Sequence, residues 1–532
     1  MMLTYLIYSL LPVLTGASIV LIGYFLVLWI YRLSLHPLAK YPGPFSYKLT
    51  NWPLVLQAYH GNRHLHHLRD HAKYGPIVRI GPNTLSFNTE TALNAIYGGK
   101  KVNVRKTGMY ITLDAGSGAL STHTEIDKEK HAYRRRVLSY AFSDNALRSA
   151  EPLILHNVEI FCSAIAPKEK HQWSEKKNMS LWCSWLGFDI MGDLAFGERF
   201  KCIESEEHRY TAGTTITGSK FLYWFSYLPC AWVTRRIITS RLMEVLAGQT
   251  AADFMHLMNY AEEKVQRKIE AEGFAKKESK EVRKDTMHYI LESKDPETGE
   301  SLTDKELAAD SVLLITAGSD TVSTSLAASF FYFLRNPNVL KRVTAEVRST
   351  FTSTEDIHSG PKLNSCVYLQ ACMEEVLRVA PPVPSHLPRE VLSGGLNVDG
   401  HHILAGTIVG VPAYSIHLNK DYFPDPWSFR PERWIVDPKT GVTAESVELA
   451  TRAFCPFSLG TRGCIGKFLA YLEFKLTMAH VLYRFDMREA PGENLGGGGP
   501  DLEEGRQRQN EFQMDDAFGV MRNGPLVEFM SV

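Results

Sequence analysis

Apolar positions recur along this chain in three patterns. The first is an unbroken apolar stretch at residues 14–30 (LTGASIVLIGYFLVLWI), and the first 31 residues contain no Asp, Glu, Lys or Arg. With its apolar flank it is long enough to cross a bilayer as a helix of roughly 20 residues. The second pattern is helical spacing, clearest at 129–142, 251–270, 303–335 and 365–379, where apolar side chains return every third or fourth position. The third is strand-like alternation at 77–87, and a pair of runs at 396–409 with Asp399-Gly400 placed as their turn. These patterns predict a mainly helical protein with a minor β part and no internal repeat.

Arg32, Lys40 and Lys48 follow the apolar stretch, so the positive-inside tendency keeps the bulk of the chain cytosolic. A retained anchor fits better than a cleaved signal peptide, because a basic n-region and a small-residue cleavage site are both missing. The expected division is an anchor at 1–31, a stiff linker at 32–45 containing HPLAKYPGPF, and one large domain at 46–532. The charge run at 276–285 and the Gly-rich stretch at 492–509 read as solvated, mobile surface. His64, His67 and His71 fall near one helix face. They read as solvated rather than zinc-binding, since no carboxylate or cysteine completes a ligand set.

Composition changes this picture little. The 532 residues are 45% hydrophobic and 22% charged with a formal net charge of +0, which makes a large core possible and argues against nucleic acid as a partner. The eight cysteines have no CxxC spacing, as suits a reducing compartment. Asn178-Met179-Ser180 matches a glycosylation acceptor, which a cytosolic domain would leave unmodified.

Chemistry first shows in the segment 303–335. Thr303 and Glu306 form a capping box and Asn336-Pro337 a stop, giving a helix of about 45 Å. In its middle stand Gly318, Asp320 and Thr321. A glycine there costs about 1 kcal/mol relative to alanine. Such a group either serves a reaction or makes a close helix contact, with the threonine bonding back to a carbonyl. Further on, Glu375 and Arg378 share a helix face between apolar flanks, so a third partner is needed if they are buried, and Arg433 in Pro-Glu-Arg-Trp is the candidate. Last comes FSLGTRGCIG, residues 457–466. Cys464 stands at a helix start with Arg462 nearby, Gly460, Gly463 and Gly466 free to turn their N–H groups to the sulfur, and Phe457 able to shield it, all of which favour a thiolate. A nucleophile, a zinc ligand and an axial haem ligand are the possible uses. Zinc lacks neighbouring ligands, and haem needs one axial cysteine.

Together these motifs resemble the cytochrome P-450 family: the FxxGxRxCxG loop is matched at every fixed position, and the Ala-Gly-x-Asp-Thr helix, Glu-x-x-Arg pair and Pro-Glu-Arg-Trp segment precede it in the family's order. The resemblance implies a triangular helical prism with small β-sheets. It implies haem b with Cys464 as the axial iron ligand, and Arg462, Arg135 and Arg389 neutralising the haem propionates. His131 stands where the family often has a tryptophan, and Val322-Ser323 where many members have a second hydroxyl after the threonine. By the same resemblance Gly318 opens a groove for dioxygen, Asp320 and Thr321 organise proton delivery, and Glu375, Arg378 and Arg433 hold the cysteine loop. The substrate site would be lined from 105–127, 210–236, the helix near Ala317, 380–387 and Phe518. The implied protein is an endoplasmic-reticulum monooxygenase of fungal secondary metabolism. It would act on a lipophilic small molecule and take electrons from NADPH through a separate NADPH–cytochrome reductase, with cytochrome b5 as a further donor. The alternatives are an aromatic-acid or xenobiotic hydroxylase, and an oxygen-independent haem-thiolate isomerase or dehydratase.

Overall fold

The computed structural model describes residues 2–99, 101–114, 119–229, 231–238, 240, 248–278 and 282–532. The apolar stretch is one helix, Met2–Ile30, prolonged by a π-helical turn, Tyr31–Leu35. No part of its most apolar window, within Leu14–Leu35, is buried in the fold, as a segment suited to hydrocarbon requires. The proline-rich segment after it is not a free tether. Leu38 and Tyr41 are buried, the Arg79 N–H donates to the Pro42 carbonyl at 2.7 Å, and Arg79 Nη1 donates to the Arg32 carbonyl at 2.8 Å. A Cβ at Gly43 would lie 2.2 Å from the Arg79 carbonyl oxygen, so only glycine lets the chain run this close to the sheet.

Five short strands form the larger sheet, in the order Ile77–Gly81, Thr84–Phe87, Ile408–Gly410, Arg389–Val391 and Val104–Lys106. Stretch 77–87 is thus two antiparallel strands. Asp399 and Gly400 have φ of 49° and 77°, the left-handed pair that a two-residue hairpin needs, and they join Leu396–Val398 to His401–Ile403. Residues 408–410 leave that hairpin and lie parallel to Thr84–Phe87 in the larger sheet.

The capping box of Thr303 and Glu306 is present, and the helix Asp304–Arg335 runs through the core. It packs against Met179–Phe196, where a Cβ on Gly187 would come within 2.7 Å of the Ser319 carbonyl. The predicted helix at 365–379 breaks at Cys366 into Pro361–Ser365 and Val367–Val379. The seven described cysteines are free; Cys230 lies outside the described residues. Asn178 is occupied as a cap, its Oδ1 accepting from the N–H groups of Ser180 and Gly524.

Two expectations about surface are corrected, while the charge run stays exposed at 277, 278, 283 and 284 and is buried only at its last residue. Residues 492–509 are exposed at 500–504 and 507–509 but tied to the fold: Arg506 is buried and donates to the Met514 carbonyl at 2.8 Å and to Asp515 at 2.6 Å. A Cβ on Gly498 would meet the Arg508 carbonyl at 2.2 Å, so these glycines serve close backbone approach rather than mobility. In the charge run, residues 279–281 lie outside the described residues. Asp285 is nevertheless buried, caps the helix Thr286–Glu292 and bonds Lys268 at 2.7 Å. His64, His67 and His71 are buried rather than solvated, because their helix, Arg63–Tyr74, packs under the strand Ile77–Gly81 and the helix Ala413–His417. His71 contacts Ser86 Oγ and the Gly75 carbonyl, His67 pairs with His386 at 3.1 Å, and burial holds all three below the ordinary histidine range.

Candidate active site

The cysteine loop is built by backbone requirements. Ser458 and Gly460 have φ of 54° and 65°, and a Cβ at Gly460 would sit 2.2 Å from the Tyr97 carbonyl. The chain turns through Gly460–Arg462, and the Cys464 N–H closes the loop on the Phe457 carbonyl at 2.8 Å. Gly466 then begins the helix Lys467–Arg484, and Phe457 packs its ring against Tyr471. The Cys464 sulfur is enclosed by protein yet open to an internal cavity. Burial pushes its thiol up, opposed by the Gly466 N–H, Arg135 and Lys467.

The cavity has a volume of about 450 Å³ and draws its wall from all five stretches expected to line it; within those stretches residues 115–118 and 230 lie outside the described residues. Ala317, Gly318, Asp320 and Thr321 line the same cavity as Cys464. Thr321 Oγ1 donates to the Ala317 carbonyl at 2.8 Å, so its proton is committed to the helix while its oxygen lies on the cavity wall. A Cβ on Gly318 would meet Met191 Sδ at 2.6 Å, so its bare backbone at the cavity wall also makes room for Met191. Ser323 is buried beneath this face and donates to the Ser319 carbonyl.

At one end the cavity wall is cationic. Arg389 donates to Tyr110 Oη at 3.0 Å, Arg462 to the Glu125 carbonyl at 2.6 Å and Arg135 to the Gly463 carbonyl at 2.8 Å. Lys106 donates to the His123 carbonyl. Among the described residues none of the four is ion-paired to a carboxylate side chain. Burial, with Arg389, Arg462 and Arg135 close by, drives Lys106 well below the ordinary lysine range. Arg462 is pulled down to about 10 by burial and by Arg389. His131 is buried in the same wall and, through burial and these cations, is lowered to about 2, so it stays neutral. Such a wall is costly alone and suits a flat ligand that brings its own carboxylates. A haem would bring two propionate carboxylates to meet that demand.

Lys106, Tyr110 and His123 were not picked out from the sequence. Lys106 left a signal: in the strand Val104–Lys106 it shares the buried face with Val104 while Arg105 points outward.

Below the loop, Glu375 is buried and grips Arg378 through two bonds of 2.8 and 2.9 Å. It also accepts from Arg433 Nε at 3.0 Å, the Arg430 N–H at 2.8 Å and Trp434 Nε1 at 3.0 Å. Burial opposes its charge, but Arg378 and Arg433 hold its carboxyl below the usual range. Arg378 donates onward to the His417 carbonyl, and the His417 imidazole accepts the Cys455 N–H at 2.9 Å. The triad is thereby tied to the start of the cysteine loop. Elsewhere Glu272, His288 and Glu292 approach metal-ligand spacing, but Lys268 stands 3.4 Å from Glu272 and supplies its countercharge.

The cytochrome P-450 family model matches residues 42–496. Cytochrome P-450 monooxygenase fscF of Fusarium equiseti is 40% identical over 505 residues, covering 94% of this chain and 93% of the relative. Monooxygenase atnE of Emericella nidulans is 36% identical over 526 residues, covering 95% and 94%, and AKT7 of Alternaria alternata is 34% identical over 521 residues, covering 97% of each. With the family model matched over most of the chain and relatives matched over nearly their whole length, the chain belongs to the cytochrome P-450 family and is a haem-dependent monooxygenase.

Proposed function

We propose that the chain is a membrane-anchored monooxygenase that inserts one atom of dioxygen into a lipophilic small molecule in fungal secondary metabolism, by hydroxylation or epoxidation. The single observation carrying this reading is that Cys464 and the pair Asp320–Thr321 line one largely apolar cavity. The relatives, all fungal monooxygenases by name, support the pathway class. For a hydroxylation the balance is RH + O2 + NADPH + H⁺ → ROH + H2O + NADP⁺.

Haem, held by the Cys464 sulfur and by Arg135, Arg389, Arg462 and His131, supplies the oxygen-activating chemistry. The apolar wall selects and orients the substrate. Asp320 and Thr321 position the water that passes protons into the cavity. Glu375, Arg378 and Arg433 keep the cysteine loop in place. The helix of residues 14–35 anchors the protein in the endoplasmic reticulum, the packed segment at 32–45 fixes the domain against it, and residues 46–532 form the catalytic domain. Electrons come from NADPH through NADPH–cytochrome reductase, with cytochrome b5 as a further donor.

The test is the carbon-monoxide difference spectrum of the dithionite-reduced protein in membranes, with Cys464→Ser beside it. A strongly red-shifted Soret band lost in the variant is expected, and folded wild-type protein without it would overturn the reading. Thr321→Ala is expected to divert NADPH from product to hydrogen peroxide, and unchanged coupling would remove Thr321 from proton delivery.

A further inference from the structure

Asp320 is not a free acid on the cavity wall. Arg522, which follows the paired strands Asp515–Ala517 and Gly519–Met521, donates through Nη1 to Asp320 Oδ1 at 2.9 Å, and its side chain is 2% exposed. Its other terminal nitrogen donates to Ser184 Oγ at 3.0 Å and Ser323 Oγ at 2.5 Å, and Nη1 also reaches the Val520 carbonyl at 3.1 Å. A guanidinium held at four points is a rigid fork. The second carboxylate oxygen meets an independent constraint. A Cβ on Gly519 would lie 2.5 Å from Asp320 Oδ2, and Gly519 lines the same cavity as Asp320. One oxygen is therefore pinned by charge, and the other occupies space that only a glycine leaves.

We infer that Arg522 and Gly519 are positioning residues for proton delivery, fixing the Asp320 carboxylate with Oδ1 on the arginine and Oδ2 beside the cavity. This rests on the assignment of Asp320 to proton delivery made above. Ser323, which follows Val322 in this chain, anchors the arginine from the long helix. Without Arg522 the carboxylate can turn about its terminal torsion, and water is no longer held where a proton is needed.

The partition of oxygen reduction without substrate tests this, since it needs only reductase and NADPH. Delivered protons allow O2 + 2 NADPH + 2 H⁺ → 2 H2O + 2 NADP⁺. Failed delivery releases peroxide by O2 + NADPH + H⁺ → H2O2 + NADP⁺. Arg522→Met and Gly519→Ala are each expected to raise peroxide per NADPH several-fold, and Arg522→Lys to restore part of the water yield. Haem content and the carbon-monoxide band are expected to stay as in wild type. In an Asp320→Asn background neither change is expected to add anything. A wild-type partition in Arg522→Met and Gly519→Ala, while Asp320→Asn releases peroxide, would overturn the inference and leave the Asp320 assignment standing. Effects that add to those of Asp320→Asn would also overturn it, by showing that Arg522 acts elsewhere. If Asp320→Asn itself leaves the partition unchanged, or wild type releases only peroxide, the assignment of Asp320 falls and the inference with it.

Discussion

Two buried charge systems flank the cysteine loop, and they are built on opposite plans. In the triad, Glu375 answers Arg378 and Arg433 directly, and both arginines send their remaining donors to backbone carbonyls. In the cavity wall, Lys106, Arg135, Arg389 and Arg462 donate to carbonyls and a phenol and repel one another, and among the described residues the nearby Glu125 and Asp127 carboxylates form no ion pair with them. A buried cluster whose opposite charges are supplied by the chain is a structural device. One that lacks its countercharge carries a demand on a ligand. The physics of burial is the same in both, so the imbalance is what marks the binding site.

The largest expected effect breaks the first system. Glu375→Ala leaves two buried guanidinium groups facing each other, a loss on the order of 3–5 kcal/mol. Little folded, haem-loaded protein is expected, as read by recovered carbon-monoxide band and thermal melting. Glu375→Gln, which keeps acceptors but no charge, is expected to fall between.

The sharper contrast comes from the wall. Lys106→Met removes a cation that the apoprotein does not need. Haem retention is expected to fall about tenfold or more, corresponding to one lost charge-assisted bond of about 1.5–3 kcal/mol, measured as transfer to apomyoglobin. The apoprotein is expected to melt no lower than wild type, because a repulsive buried charge has gone. A variant that destabilises the apoprotein as Glu375→Ala does would erase the distinction between the two systems.

The smallest effect concerns the link between the triad and the loop. His417 is buried, and burial lowers it to about 3, against an ordinary value of 6.5. Its neutral ring accepts the Cys455 N–H, so the fold favours the unprotonated form. That contribution is complete above pH 6.5 and is lost as pH falls toward 3, by up to about 1.4 kcal/mol per pH unit. His417→Gln keeps an acceptor without a titration and is expected to flatten the acid limb of a plot of melting temperature against pH. An unchanged slope would show that His417 does not report on this link.

The motif residues were legible because each motif is local. Thr303 and Glu306 cap a helix within one turn, Glu375 and Arg378 share one face, and the glycines around Cys464 shape one loop; all three follow from spacing alone. Segment 492–509 misled for the converse reason, since glycine density is equally consistent with a mobile loop and with a backbone packed too tightly for side chains. The buried histidines misled because their helix is polar by composition, and the elements that cover it come from elsewhere in the chain.

What the sequence alone determined about this protein is therefore its family, its helical architecture, its apolar N-terminal helix and the local shape of the loop that carries Cys464. Only the tertiary structure decided how charges meet. Arg522 reaches Asp320 from 202 residues away, Arg433 reaches Glu375 from 58, and the cationic wall gathers side chains from four separate segments. Periodicity records which side a residue faces, whereas electrostatic partnership depends on distance in space, and that is set when the chain closes on itself.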